Sequence, residues 1–533
     1  MDFNKYWAIF VMSINSATDA LFKPKSTTMN HKIKLLAATA LALSFCMPVS
    51  AAGDHLVILH TNDTHSQIDP DSRNLGGMAR RKVLIDSVRA ANDNVMLVDA
   101  GDAVQGTLYF SLFGGEVERK LMNSLGYDIQ ILGNHEFDNG MDALANLYKG
   151  VNAEVLSSNY RLDDSSLKGL FKPYTIRRVG DKKVGFIAVN LIPDGMIAAD
   201  KCRDVKYLDG LKAANAYAWM LKNMEGCDMV VALTHVGYEN VPGYSDVDLA
   251  KGSEDIDVII GGHSHTTINP DGASKPWRVA NLRGDSVLIA QTGKGGAFLG
   301  EIDLDLDSRT SRSKLLRVDS RLDGRVDPSF ENEIAPYRAK VDSVMAISIG
   351  YASADFPRST PALDNLISDA VRTLGDRYAG RKTDLAIMNH GGLRADLRKG
   401  KITKGDIMQI MPFDNYVAVL EIKGSELMKA FDVMARRGGV DGVSSNVRLR
   451  YKGDRCVEAL VDGKPVDPER VYTLSTINYL ADGGDYMTPL KEGRRIAGSP
   501  QVLYDDIIGL FTSGKFKGKK LRPDMTGRIA EEK

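Results

Sequence analysis

Five short runs of the sequence concentrate aspartate, asparagine and histidine, and each follows an apolar, β-branched stretch. Leu56–His60 leads into Thr61-Asn62-Asp63-Thr64-His65, and Val95–Asp99 leads into Ala100-Gly101-Asp102. Ile129–Leu132 leads into Gly133-Asn134-His135-Glu136, Met229–Leu233 into Thr234-His235, and Val258–Ile260 into Gly261-Gly262-His263-Ser264-His265. Of the 9 histidines in the chain, His65, His135, His235, His263 and His265 all fall in these runs. Imidazole together with carboxylate and amide oxygen suits zinc, manganese, iron or cobalt better than calcium. Side chains alternate along an extended segment, so Asp63 with His65, and His263 with His265, are expected on one side of the chain. Such a set could ligate a divalent metal.

The elements that must position these residues alternate β-rich runs, continuing with Val184–Asn190 and Val287–Ile289, with helical spacing at Met78–Ala91 and Glu116–Leu125. That pattern predicts an α/β fold with helices covering sheets. In open α/β sheets ligands bind beyond the carboxyl ends of strands, where all five runs lie. Glu301–Asp307 reads as a half-exposed closing strand. It is not a calcium loop, because Ser308 replaces the needed glycine and Lys314 stands where the bidentate glutamate belongs. Gly293-Lys294-Gly295-Gly296 lacks the frame of a phosphate loop and reads as a turn. Asp327–Met345 reads as a polar helical connector disturbed at Pro336. A second α/β region follows, with helical spacing at Leu363–Leu374 and Gly424–Arg437 and strands at Asp384–Met388, Tyr416–Ile422 and Val471–Ser475.

Length and composition narrow the classes. The 533 residues correspond to two or three domains, with 43% apolar and 26% charged residues, the balance of a globular protein. The formal net charge of −1 gives no electrostatic footprint for binding a nucleic-acid polymer. Lys32 and Lys34 precede an apolar run at Leu35–Met47, with small residues Val49-Ser50-Ala51 before Ala52: the pattern of a secretory signal at 29–51. Residues 1–28 do not fit upstream of such a signal and read as a non-native extension, with Met29 the expected start. Phe45 before Cys46 argues against a lipid-anchored cysteine. No later apolar run is long enough for a membrane span. The expected location is periplasmic or secreted. Cys202 and Cys227 could pair or stay as free thiols.

The order D-x-H, G-D, G-N-H-E, H and G-H-x-H resembles the calcineurin-like metallophosphoesterases. Ile58-Leu59-His60-Thr61-Asn62-Asp63-Thr64-His65 and Gly133-Asn134-His135-Glu136-Phe137-Asp138-Asn139-Gly140 resemble one branch of them. That branch is the 5′-nucleotidase family, with its bacterial periplasmic UDP-sugar hydrolase/5′-nucleotidases. The resemblance implies a four-layer β-sandwich domain flanked by helices, joined by a helix to a second α/β nucleotide-binding domain. The implied boundaries are 52–325, 326–346 and 347–533. It implies two divalent metal ions, zinc, manganese or cobalt, one on Asp63, His65, Asp102 and His265 and the other on Asp102, Asn134, His235 and His263. It also implies a bridging hydroxide as nucleophile, His135 stabilising phosphoryl charge, and Asp138 orienting His135. The residues alone leave Asp138 a second role, capping a helix near Gly140.

In the second region, Asn389-His390-Gly391-Gly392-Leu393-Arg394 resembles the family's N-x-G-G-[IL]-R loop. Pro412-Phe413-Asp414-Asn415 resembles its P-F-x-N segment, and Tyr479-Leu480 through Gly483-Gly484-Asp485 its F-L-x-x-G-G-D segment. The resemblance implies phosphate contact by Arg394 and Arg358, a base edge at Asn389, stacking on Phe413 and Tyr479, and a ribose acceptor in Asp485. Three departures stand out: Tyr479 for phenylalanine, no glycine after Asp485, and Asp364 where the family usually has glycine. The implied activity is hydrolysis of 5′-nucleotides to nucleoside and phosphate, with rotation of the two domains about the connector. Sugar-nucleotide pyrophosphohydrolysis, 2′,3′-cyclic phosphodiester hydrolysis and non-catalytic nucleotide binding are the alternatives.

Overall fold

The computed structural model describes residues 54–532 apart from 163–165, 240, 242 and 273–274. The signal-like segment, the residues before it and Cys46 lie outside the described residues.

Two six-stranded sheets form the first half. One runs Thr310–Arg317, Phe298–Asp305, His55–Thr61, Val95–Asp99, Ile129–Ile131, Glu154–Leu156, parallel from His55–Thr61 onward and antiparallel at its other edge. The other runs Arg278–Ala280, Ser286–Ala290, Val258–Ile260, Met229–His235, Lys182–Asn190, Tyr174–Val179, parallel in its centre. Their strands are apolar on both faces because both faces are covered. Ile58, Val98 and Ile131 meet Phe186, Val231 and Ile260 between the sheets. The alternate residues Leu59 and Leu97 pack outward with Val117 and Leu121 of the helix Glu116–Leu125. Ile187 and Val230 pack outward with Ala214 of Gly210–Asn223 and Leu249 of Asp246–Gly252. The result is the expected four-layer α/β/β/α sandwich.

The closing strand spans Phe298–Asp305, with Thr310–Arg317 returning beside it; the charged alternation of that returning strand hid it in the sequence. A helix over Pro328–Met345 follows, with Asp327 accepting from the Ser329 N–H at 2.9 Å at its start. Pro336 sits inside this helix without ending it, so the expected disturbance is not seen. Phe330, Ile334 and Val341 bury its apolar face against the first half.

The second half is built on a mixed five-stranded sheet: Gly442–Val443, Leu385–Met388, Val471–Ile477, Tyr416–Lys423, Arg494–Val502. Helices Pro361–Ala379 and Gly424–Arg436 bury Leu363, Ile367, Leu427 and Phe431 in its core. A smaller sheet carries the hairpin Val447–Lys452 and Arg455–Val461, whose first strand alternates buried Val447 and Leu449 with exposed Arg448 and Arg450. Cys202, Cys227 and Cys456 are free. Among the described residues no helix is long and apolar enough to cross a membrane.

Candidate metal centre and substrate cleft

The five motif runs converge where the parallel strands of both sheets end, but not as extended chain. The strand His55–Thr61 stops before Asp63, and Val258–Ile260 stops before His263. Asp63 (φ 48°), His65 (φ 47°), Asp102 (φ 54°), His263 (φ 74°) and His265 (φ 54°) all take the left-handed conformation. The expectation of alternating side chains on an extended segment is therefore wrong in mechanism. Tight turns, strained for any residue with a Cβ, aim these side chains inward. Gly101 allows the close approach: a Cβ there would lie 2.6 Å from the Gly133 nitrogen and 2.8 Å from His235 Nδ1.

The side chains meet in two overlapping groups. Ligand atoms of Asp63, His65 and His265 lie within 4.8 Å of one another, as do those of Asp102, His235 and His263. His65 Nδ1 lies 3.2 Å from the Gln105 carbonyl, which assigns the proton to Nδ1 and leaves the Nε2 lone pair facing His265 Nε2 at 2.9 Å. His235 repeats the device, with Nδ1 at 2.8 Å from the Ala100 carbonyl and Nε2 at 3.2 Å from Asp102 Oδ2. His263 Nδ1 lies 3.0 Å from Asn134 Oδ1. Burial holds His65 well below the usual imidazole range, and burial with the His235 charge pulls His263 to about 3. Burial with Lys294 and Arg394 pulls His265 to about 2. Burial raises Asp63 to about 7. Burial alone would depress His235, yet the carboxylates of Asp102 and Asp63 raise it to about 10. Three imidazoles held neutral by burial, His65, His263 and His265, gathered with His235 around the carboxylates of Asp63 and Asp102, are a donor set that suits a divalent cation. The residues fit the metal the motifs implied.

Proximity alone also groups His135 with His65 and Asp102. Its Nδ1, however, faces Asp138 Oδ2 at 2.9 Å, and its backbone N–H donates to Asp102 Oδ1 at 2.9 Å. Burial works against charge on this ring, but Asp138 and Asp102 outweigh it and raise its pKa. The helix Gly140–Tyr148 is preceded by Asn139, with no side-chain cap, so Asp138 serves His135 rather than the helix. Glu136 is the residue that motif reading passed over. Its buried carboxylate accepts the N–H groups of Gly133 (2.5 Å), Asp102 (3.1 Å) and Ala103 (3.0 Å), tying two of the ligand-bearing turns together. The fourth letter of G-N-H-E was the available signal.

A cavity of about 350 Å³ opens from this centre toward the second half. Asp102, Asn134, His135, Asp138, His263 and His265 line it from one side. Asn389, Arg394, Phe413, Tyr479 and Asp485 line it from the other. Asp63, His65 and His235 are buried beneath it, and Arg358 lies outside its lining. The Phe413 ring stacks beside His135 at 5.6 Å between centroids, with the Arg394 guanidinium 5.8 Å from its centre. Burial and repulsion from Arg358 lower the Arg394 pKa. Asp485 is held by Asn389 Nδ2 (2.8 Å), the Tyr479 hydroxyl (3.0 Å) and Arg437 Nη1 (2.8 Å). Arg437 had no motif to mark it. Where the family's further glycine is missing, Asp485 (φ 53°) and Tyr486 (φ 63°) take left-handed conformations. The loop docks on the first half: the Asp485 N–H donates to the Gly195 carbonyl at 3.0 Å.

Comparison with known proteins gives two family models end to end. The calcineurin-like phosphoesterase model matches residues 56–267, and the 5′-nucleotidase C-terminal domain model matches residues 344–492. The chain is 30% identical to a snake venom 5′-nucleotidase of Gloydius brevicauda, over 84% of this chain and 85% of that protein. It is 29% identical to the 5′-nucleotidase of Bos taurus, over 92% and 93% of the two chains. Among solved structures, a 5′-nucleotidase precursor from Thermus thermophilus superposes with a TM-score of 0.79 at 30% identity, covering 90% of this chain and 99% of that one.

Proposed function

The chain belongs to the 5′-nucleotidase family of metal-dependent phosphoesterases, and from that premise we propose how its residues divide the work of hydrolysing a 5′-nucleotide to nucleoside and phosphate. Two divalent ions, zinc, manganese or cobalt, would be held, one by Asp63, His65, Asp102 and His265 and the other by Asp102, Asn134, His235 and His263. Such ions, when bound, supply Lewis acidity at the phosphoryl oxygens and lower the pKa of a water. The chain's own groups do the rest. His135, kept protonated by Asp138, donates from Nε2 to the oxygens on which charge develops in the transition state. Arg394 offers paired donors to the phosphate. Phe413 and Tyr479 present ring faces to the base, which any base can occupy. Asn389 approaches the base edge, and Asp485 accepts from the ribose hydroxyls.

The observation that carries this reading is the single cavity lined by metal-ligating Asp102, Asn134, His263 and His265 on one wall and by Phe413, Tyr479 and Arg394 on the other. The helix Pro328–Met345 between the two halves supports a division at 52–325, 326–346 and 347–533. The basic-then-apolar pattern of 29–51 supports export to the periplasm or beyond. The test is phosphate release from AMP with manganese, cobalt or zinc, set against UDP-glucose, 2′,3′-cyclic AMP and p-nitrophenyl phosphate. AMP turnover should fall about 10²- to 10³-fold in His135→Ala, the loss typical of one transition-state donor. Turnover of p-nitrophenyl phosphate alone would refute the substrate assignment.

A further inference from the structure

Asp364, one departure from the family pattern, meets His390 in space. Asp364, in the first turn of the helix Pro361–Ala379, places its carboxylate oxygens 3.0 and 3.2 Å from His390 Nδ1. His390 occupies the variable position of the loop that carries Arg394, and its Nε2 lies 3.3 Å from Arg358 Nη2. A guanidinium can only donate, so His390 Nε2 is the acceptor, and the ring is neutral with its proton on Nδ1. That tautomer is the one a carboxylate at Nδ1 selects. The His390 backbone N–H is fixed by Asp441 Oδ1 at 3.1 Å, and the Arg358 N–H by Asp396 Oδ1 at 2.9 Å. Both ends of the chain of contacts are therefore pinned.

We infer that Asp364 and His390 are positioning residues that hold the Arg358 guanidinium beside Arg394 as a second donor to the substrate phosphate. The inference rests on the nucleotidase reading and extends it to Asp364 and His390. Its physical sense lies in what the relay avoids. No carboxylate lies within 4.0 Å of the Arg358 guanidinium among the described residues, and Arg358 Nε is buried without a partner. A direct salt bridge would orient the arginine but compete with an incoming phosphate for the same donors. A neutral imidazole orients it through one hydrogen bond and leaves its charge and remaining N–H groups for an anion. Burial, and repulsion from Arg358, lower the Arg394 pKa, which fits two cations near enough to share one ligand.

The test is a double-mutant cycle on the affinity of the full chain for inorganic phosphate and for AMP, by calorimetry without added metal and by KM with manganese. Arg358→Ala should weaken phosphate binding about tenfold or more, the loss of one charge-assisted hydrogen bond. His390→Ala should weaken it by a smaller factor, with KM rising more than kcat falls. The double variant should bind no more weakly than Arg358→Ala alone. His390→Gln, whose amide can donate to Asp364 and accept from Arg358, should recover most of the affinity. It also carries the test if His390→Ala melts early. Additive single effects, or full affinity in His390→Ala beside a weakened Arg358→Ala, would overturn the relay. The phosphate cycle decides this even if wild-type protein leaves AMP intact, an outcome that would count against the nucleotidase reading instead.

Discussion

Glu136→Gln isolates how much the metal centre depends on a residue that braces the ligand-bearing turns through their backbone. In the native fold Glu136 Oε2 accepts from the Gly133 and Asp102 N–H groups and Oε1 accepts from Ala103. Glutamine preserves shape and can accept on one arm only. Its amide nitrogen would either face the Ala103 N–H donor to donor, or leave the Gly133 and Asp102 donors unpaired. A buried unsatisfied donor costs about 1–3 kcal/mol, and the surviving bonds lose their charge assistance, roughly half their strength. The sum is about 3 kcal/mol of stability. Because Asp102 and Asn134 ride on the turns that Glu136 joins, metal affinity should also weaken about 10- to 100-fold, as outer-shell substitutions do. Urea unfolding of the metal-free protein measures the first effect, and competitive titration against a chromophoric chelator the second. Unchanged metal affinity in a destabilised variant would separate fold from site and refute the reasoning. Lost affinity with unchanged stability would make Glu136 a ligand rather than a brace.

Two further perturbations probe the cleft and the core. Phe413→Ala should raise the KM for AMP about 5- to 100-fold, the range of one base–aromatic contact, while p-nitrophenyl phosphate, which has no base, keeps its KM; equal changes for both substrates would contradict the stacking role. Glu118 is fully buried, its carboxylate lacks a hydrogen-bond partner in normal geometry, and burial raises its pKa to about 7, with Ser66 only slightly easing ionisation. The folded pKa lies above the unfolded value near 4.5, so its contribution is fully present below about pH 4.5 and is lost as pH rises toward 7. Glu118→Gln should therefore be more stable than wild type at pH 8, by up to about 3 kcal/mol, and should match it near pH 4.5. An equal difference between variant and wild type at the two pH values would deny that burial raises the Glu118 pKa.

The first half was legible because its strands are covered on both faces and so stand out as continuous apolar runs, each ended by a polar motif. Val95–Asp99 and Val258–Ile260 are found at the residues expected, as are the helices Met78–Ala91 and Glu116–Leu125. What composition hid were strands with one wet face: in Thr310–Arg317 the charged Arg312 and Lys314 alternate with serine, and in Val447–Lys452 arginine alternates with Val447 and Leu449. The ligand residues were readable by type, while their geometry was not. A period-of-two argument picks the right pairs, Asp63 with His65 and His263 with His265, yet all four lie in left-handed turns, a conformation that no hydrophobic pattern announces. Glu136, Arg437 and His390 share another reason for escaping notice. Each acts on a neighbour's backbone or side chain, through contacts that span 3 to 48 residues and exist only once the chain is folded.

The placement of charge explains why this enzyme needs two halves. The wall built by the first half is a concentration of buried carboxylate, with Asp63 beneath the cavity and Asp102 lining it. A phosphate dianion brought there without compensation would be repelled. Arg394 approaches from the opposite wall, so the anion meets this guanidinium only where the halves face each other across the cleft. The same argument accounts for Tyr486. A side chain in a left-handed conformation costs about 1–2 kcal/mol, and here it accompanies the turn that lets the Asp485 N–H reach the Gly195 carbonyl of the metal-bearing half. Strain at the substrate loop is thus coupled to the contact that brings base-binding and metal-binding walls together, which places the conformational cost where the productive cleft is assembled.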